Sequence, residues 1–347
     1  MISAGKPKSH SAEWLFCIVL GCLLTGCADG VQLERLSGAT MGTTWNVSYV
    51  PTTEDRSRGA LQAGIQRELD RVVQSMSTYL SDSEITRFNA LPENTWFEVS
   101  NEFYSVLSTA MVVGRQSRGA YDVTIGPLVD LWGFGPASRA DLPPGQQEID
   151  DLLSSVGQRH LRLDGEGVRV SKQTRLALDF SSLAKGYAVD KVALWLQEQG
   201  IYRYLVEVGG EMRVSGLSHR GDNWHVAIEQ PDFSTRSAAA TISITDSSVA
   251  TSGDYRNFVE LEGKRYSHSI DPRTGWPIRH DLVSVTVIHP SAMLADAWAT
   301  ALIVLGGEEA EAVAQEQGLA VYFIRRKGDS LEHSYTVEFS PYLAVQD

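Results

Sequence analysis

The sequence predicts an α+β fold in which mixed, largely antiparallel sheets pack against helices. Three observations carry that expectation. Strand-like alternation recurs in "TTWNVSYV", "WHVAIEQ", "AATISI" and "LVSVTVIH". Helical periodicity marks "RGALQAGIQRELDRVVQSMSTYL", "NEFYSVLSTAMVVGRQS", "AVDKVALWLQEQG" and "LADAWATALIVLGG". The two kinds of segment intermix without the strict strand-helix alternation of a parallel α/β sheet.

In chain order the first feature is a leader. Lys6 and Lys8 precede an apolar run from Trp14 to Leu24, followed by Thr25-Gly26-Cys27. The run is short for a permanent span and suits a cleaved signal. Small residues directly before a cysteine resemble a bacterial lipobox. Residues 1–26 are therefore expected to be removed as a lipoprotein signal peptide, with Cys27 lipidated as the first mature residue. No solenoid repeat, low-complexity tract or long polar linker follows, so 27–347 reads as one catalytic unit.

Loss of Lys6, Lys8 and Glu13 takes the formal charge from -13 to -14. Charge therefore does not hold the mature chain on anionic lipid, and no basic arm is offered to nucleic acid. Cys17 and Cys22 leave with the leader, so chemistry in the mature protein must use oxygen and nitrogen groups. The 8 tryptophans and 12 tyrosines are scattered, without the spacing of a sugar-binding platform.

The mature elements follow. "TTWNVSYV" gives an early strand, and helices are expected over 58–80 and 101–117. "GFGPASRADLPPGQQEID" is rich in Gly, Pro and polar residues, lacks either period, and is expected to be a surface excursion. "TRLALDF" reads as a strand ending at Asp179-Phe180. The helix after it is expected to start near Ser182, capped by Asp179 or Ser181, and to stop at Gly200. Lys185 then lies in the first turn, facing the positive end of the helix dipole, a disfavoured place unless an anion lies there too. Free amides at a helix N-terminus beside a lysine make a phosphate site, whereas a surface lysine on a capped helix needs no ligand. The segment leaves both readings open, and it lacks the glycine-rich cradle of a Walker loop. Gly209-Gly210 is either a tight strand turn or part of a site.

In "GKRYSHSIDPRTGWPIRH", Asp271-Pro272 with Gly275 is a turn signature. His268 precedes it at an expected strand end, placed to act as a general base near neutral pH or as a structural hydrogen-bonder. In "HPSAMLADAWATALIVLGG" a helix begins after Pro290 with Ser291 as cap, and Asp296 and Thr300 share one face at i and i+4. Among alanines, that carboxylate and hydroxyl either hold a hard cation such as magnesium or bond each other.

Taken with "GATMGTTWNVSY", "MSTYLSDSEITRFN", "GAYDVTIGPLVDLWGFG", "LDFSSLAKGYAVD", "EVGGEMRVSG", "TSGDYRNF", "YSHSIDPRTGWPI" and "ADAWATAL", in this order, the mature chain resembles the flavin transferase family, the ApbE-type FAD:protein FMN transferases. The resemblance implies an ApbE-like unit, often a periplasmic lipoprotein. Such proteins bind FAD with Mg2+, transfer its FMN half to a threonine hydroxyl of a partner protein, and release AMP. It implies metal ligation by the Ser182 carbonyl, Asp296, Thr300 and the Ala299 carbonyl. It implies flavin and adenine contacts from Met41, Tyr79, Ala120, Tyr121, Asp122, Asp179, Lys185 and Ile270, and it makes His268 the base. The acceptor is then expected to be a membrane redox subunit, and the enzyme to sit on the periplasmic side of a bacterial membrane. Ala28-Asp29 leaves inner versus outer membrane open.

The same site also suits an FAD pyrophosphatase giving FMN and AMP. A flavin-binding lipoprotein without turnover is the third reading, although mere binding needs neither His268 nor a metal pair. "LSGAT" at Leu36–Thr40 resembles the acceptor sites of this chemistry, but it overlaps the family's own "TMGT" and reads as coincidence.

Overall fold

Eight strands form one sheet in which spatial order follows chain order. They are β1 (Glu34–Thr40), β2 (Thr43–Tyr49), β3 (Tyr204–Val208), β4 (Glu211–Ser215), β5 (Ser247–Gly253), β6 (Leu282–His289), β7 (Ala320–Lys327) and β8 (Ser330–Tyr335). The computed structural model describes residues 32–52, 57–136, 142–231, 237–253 and 258–344, so Cys27 and the leader lie outside the described residues. Every pairing in the sheet is antiparallel, as the intermixed pattern predicts. "TTWNVSYV" and "LVSVTVIH" are β2 and β6. "WHVAIEQ" and "AATISI" pair with each other in a separate hairpin, Trp224–Glu229 with Ala238–Ile244.

The side-chain period explains what each strand buries. β2 turns Trp45, Val47 and Tyr49 inward and leaves Thr44 and Asn46 exposed. β6 is buried along nearly its whole length because both faces are covered. Its Val285 and Val287 join the core under the helices, while Val283 and Ile288 join a second core with Trp224, Val226 and Ile242 of the hairpin. The helical core holds α1 (Arg58–Met76), α2 (Asn101–Gln116), α3 (Ala184–Glu198) and α4 (Ala292–Leu305). α4 packs on β5 and β6 and against α3, and it is buried nearly all round, as an alanine-rich apolar helix must be. Ser291 caps it as expected, accepting the Leu294 N–H.

Four boundaries differ from the sequence expectation. α1 ends at Met76, short of residue 80, because Ser77 turns extended and its carbonyl accepts from the Ser83 and Thr86 hydroxyls at 2.6 and 3.3 Å. "TRLALDF" is not a strand: only Ala177 bridges, to Ile125. The Asn89 side chain replaces a partner strand there, accepting from the Leu178 N–H at 2.7 Å and donating to the Leu178 carbonyl at 2.9 Å. α3 starts at Ala184, and neither Asp179 nor Ser181 caps it. Asp179 instead accepts the Ser181 N–H at 2.7 Å and closes a turn ahead of the helix. The expected surface excursion contains a helix, Gln146–Leu153, whose Glu148 accepts the Gly145 N–H at 2.8 Å while Ile149 is fully buried; residues 137–141 lie outside the described residues.

Candidate active site

The turn before α3, the inner faces of α3 and α4, and the β3–β4 turn enclose a cavity of about 550 Å³. Of the sequence-predicted residues, Ala120, Tyr121, Asp122, Asp179, Ser182, Lys185, His268, Ile270, Asp296 and Thr300 line it. These positions span the chain from 120 to 300, and the sheet and its helices bring them together.

Met41, Tyr79 and Ala299 do not line the cavity. Met41 stands in the two-residue turn between β1 and β2 with φ +48°, its side chain packed partly against the helical core. Tyr79, beyond the end of α1, is 69% exposed and donates to the Phe134 carbonyl at 3.3 Å. Ala299 is buried inside α4. The Thr40 hydroxyl is enclosed without a hydrogen-bond partner, so the residue suggested by "LSGAT" is not presented at the surface.

The electrostatic centre is a triad of charges. Lys185 Nζ lies 2.6 Å from Glu211 Oε1 on β4, and Asp296 of α4 acts on both. Burial opposes the Lys185 ammonium, but the two carboxylates outweigh it and push its pKa above the usual lysine range. Burial likewise pushes the Glu211 carboxyl up, to about 7, with Lys185 opposing and Asp296 adding to the rise. Asp296 is raised by burial against the pull of Lys185 and of the Gly186 N–H, which it accepts at 3.0 Å. The anions that make a lysine tolerable at a helix N-terminus are therefore supplied by the protein itself.

Several amides of the expected cradle are used within the protein. The Leu183 and Ala184 N–H groups donate to the Phe180 carbonyl, Ser181 donates to Asp179 and Gly186 to Asp296. Lys185 is left as the cationic group of this junction. Glu211 is a site residue that sequence reasoning missed, although "EVGGEMRVSG" contains it. Its only signal is an acid right after a two-glycine turn, and burial cannot be read from so short a strand. The turn itself is part of the site: a Cβ on Gly209 (φ +61°) would lie 2.9 Å from Thr43 Cγ2 and 3.1 Å from Lys185 Cδ.

The donor set fits a hard cation. Two buried acids face one ammonium, and Glu211 Oε2 is buried without a partner, so once both are ionised, above about pH 7 for Glu211, the triad carries one negative charge more than Lys185 offsets. Thr300 Oγ1, 3.3 Å from Ser252 Oγ, and Asp296 both face the cavity. No group of three or more His, Cys, Asp or Glu able to hold a metal occurs among the described residues. A cation here would thus be held by few protein oxygens, which suits magnesium, an ion that keeps waters and shares substrate phosphates.

Around this centre the other lining groups are fixed by their own contacts. Ser182 Oγ donates to the Tyr121 hydroxyl at 3.0 Å. Burial raises the Tyr121 phenol, with Asp296, Asp179 and Asp122 adding, so it stays protonated. Asp122 is committed to the backbone, accepting from Thr124 and Gln158. His268 directly follows the strand Lys264–Ser267, as expected, and lies half-buried with its ring edge-on to Phe134 at 6.4 Å. The predicted turn behind it forms, with the Gly275 N–H donating to the Asp271 carbonyl at 2.8 Å. Asp271 is gripped by Arg273 through both carboxylate oxygens and does not line the cavity, which leaves His268 as the base candidate of this segment.

Comparison with known proteins gives a consistent set of relatives. The ApbE family model matches residues 41–323. An FAD:protein FMN transferase of Vibrio cholerae is 42% identical over 333 residues, covering 96% of this chain and 99% of the relative. One from Escherichia coli K12 is 41% identical over 318 residues, covering 91% and 90%. Among solved structures, the flavin transferase ApbE from Vibrio cholerae superposes with a TM-score of 0.84 at 42% identity, over 90% of this chain and 100% of that one. The flavinyl transferase ApbE of Pseudomonas stutzeri gives 0.81 at 37% identity, over 89% and 96%.

Proposed function

The chain belongs to the ApbE family, and on that premise we propose that it moves the FMN half of FAD onto a threonine hydroxyl of a partner protein, in a Mg2+-dependent reaction that releases AMP. The enzyme is an FAD:protein FMN transferase with FAD as substrate and a protein as acceptor. The observation that carries the finer reading is the convergence of Lys185, Asp296, Thr300 and His268 on one cavity.

The reaction is a substitution at phosphorus. The acceptor oxygen bonds to the FMN phosphorus as the pyrophosphate bond to that phosphorus breaks, and AMP leaves with the bridging oxygen. His268 takes the proton from the acceptor hydroxyl. Lys185, kept charged by Glu211 and Asp296, draws the pyrophosphate to the start of α3. Asp179, Ala120, Tyr121, Asp122 and Ile270 form the surrounding wall, with Tyr79 and Met41 outside the cavity as further flavin contacts. Asp296, Thr300 and the Ser182 carbonyl would hold magnesium, with the Ala299 carbonyl as the remaining donor that family resemblance offers. Bound there, magnesium supplies neutralisation of the charge that develops on the pyrophosphate oxygens.

The leader supports lipidation at Cys27, which would keep the enzyme on the periplasmic side of a membrane beside acceptors that are membrane redox subunits. Incubation of the full-length protein with FAD and Mg2+, with and without an acceptor subunit, tests the reading. AMP release that depends on the acceptor and matches covalent flavin on it is expected. Equal AMP without acceptor would mean a pyrophosphatase, and bound FAD with no AMP a carrier.

A further inference from the structure

Asp190 and Asp296 clamp the two helices of the site reciprocally. Asp296 of α4 accepts the Gly186 N–H from the first turn of α3 at 3.0 Å. Asp190, one turn along α3 from Gly186, accepts from the first turn of α4: the Ala292 N–H at 3.0 Å, the Met293 N–H at 3.1 Å and the Ser291 hydroxyl at 2.7 Å. Between them the backbones approach closely, since a Cβ on Gly186 would lie 2.3 Å from the Ala292 carbonyl oxygen. Asp190 is only 9% exposed, and its Oδ1 also pairs with Arg213 of β4 at 2.5 Å. One carboxylate therefore ties together the elements that carry Lys185, Glu211, and the Asp296–Thr300 pair.

We infer that Asp190 is a positioning residue that sets the Asp296–Thr300 pair against Lys185 and thereby determines how tightly a divalent cation binds between them. The inference rests on the metal reading above. A carboxylate at a helix N-terminus stabilises that helix, so a plain cap would affect only stability. Here the capped helix carries the ligands and the capping helix carries the cation that must not crowd them. Groups that orient ligands in this way commonly change metal affinity by about 10- to 100-fold when removed.

Mn2+ titration of the purified full-length protein in the presence of FAD, followed by electron paramagnetic resonance, with thermal melting alongside, separates the two roles. Asp190→Asn is expected to weaken Mn2+ binding about 10-fold, at the low end of that range because it acts through backbone. Arg213→Gln breaks the ion pair but keeps the three bonds to α4, and it should lower the melting temperature while leaving Mn2+ affinity within about twofold of wild type. Should Asp190→Asn fail to fold, Ser291→Ala, which removes one of the three bonds together with the Leu294 cap, is expected to weaken Mn2+ binding by less than the roughly 10-fold of Asp190→Asn. Wild-type Mn2+ affinity in a lower-melting Asp190→Asn protein, an equal loss in Arg213→Gln, or an unchanged Ser291→Ala overturns the inference. A wild-type protein that binds no Mn2+ overturns the metal reading itself, an outcome seen without any variant.

Discussion

Lys185 Nζ stands 2.6 Å from Glu211 Oε1 on the wall of a cavity that also presents Asp296, so two acids divide one ammonium between them. That relationship organises the site. It keeps Lys185 charged inside the cavity, as the proposed pyrophosphate role requires.

The shared charge makes stability depend on pH. Burial, with Asp296 adding and Lys185 opposing, moves the Glu211 carboxyl from an ordinary 4.5 to about 7. Across that window the folded protein holds a proton that the unfolded chain has released. The contribution is therefore full below pH 4.5 and is lost as pH rises through about 7. Thermal melting of the metal-free, FAD-free protein should show stability falling over this range by on the order of 3 kcal/mol, and Glu211→Gln should flatten the profile. Parallel profiles for the two proteins would contradict the assignment.

Asp296→Asn keeps a carbonyl oxygen for the Gly186 N–H but removes a buried like charge beside Glu211. The metal-free protein should melt no lower than wild type, while AMP release falls about 100-fold at saturating FAD. Turnover with unchanged Mg2+ dependence would remove Asp296 from the metal site.

Much of this was legible in the sequence where local rules suffice. β2 and β6 announce themselves by alternation, and α4 by the Ser291 cap and its apolar run; the Asp296–Thr300 pair follows from helical spacing alone. What was not legible depends on distant partners. Asn89 substitutes for a strand beside Leu178, so "LALDF" has strand-like composition without a strand. Lys185 finds its anion in Glu211, 26 residues away on another element. Of the amides at the start of α3 that look free in sequence, those of Ser181, Leu183, Ala184 and Gly186 are taken up by Asp179, Phe180 and Asp296 in three dimensions.

Gly186→Ala tests whether the closeness of α3 and α4 matters. The added methyl would meet the Ala292 carbonyl oxygen at 2.3 Å, where backbone on both sides cannot yield cheaply. A loss of about 1–3 kcal/mol in urea unfolding is expected, with AMP release reduced beyond what the unfolded fraction explains. Wild-type stability and turnover would show that the helices can part without consequence.

Cys27→Ser addresses anchoring. Lipidation at Cys27 is the anchor proposed from the leader, and no helix among the described residues is long and apolar enough to cross a membrane. The variant should accumulate as uncleaved precursor or leave the membrane fraction on cell fractionation. Normal processing with full membrane retention would refute lipidation there.

Transfer itself is measured by covalent flavin fluorescence on an acceptor subunit, followed in time with FAD and Mg2+, for wild type and His268→Ala. Wild type should label the acceptor threonine with equal AMP release. His268→Ala should bind FAD normally and label on the order of 100- to 10,000-fold more slowly, a loss of about 3–5 kcal/mol in barrier. Labelling at the wild-type rate by His268→Ala, or AMP release from wild type with no flavin on the acceptor, would contradict transfer with His268 as base.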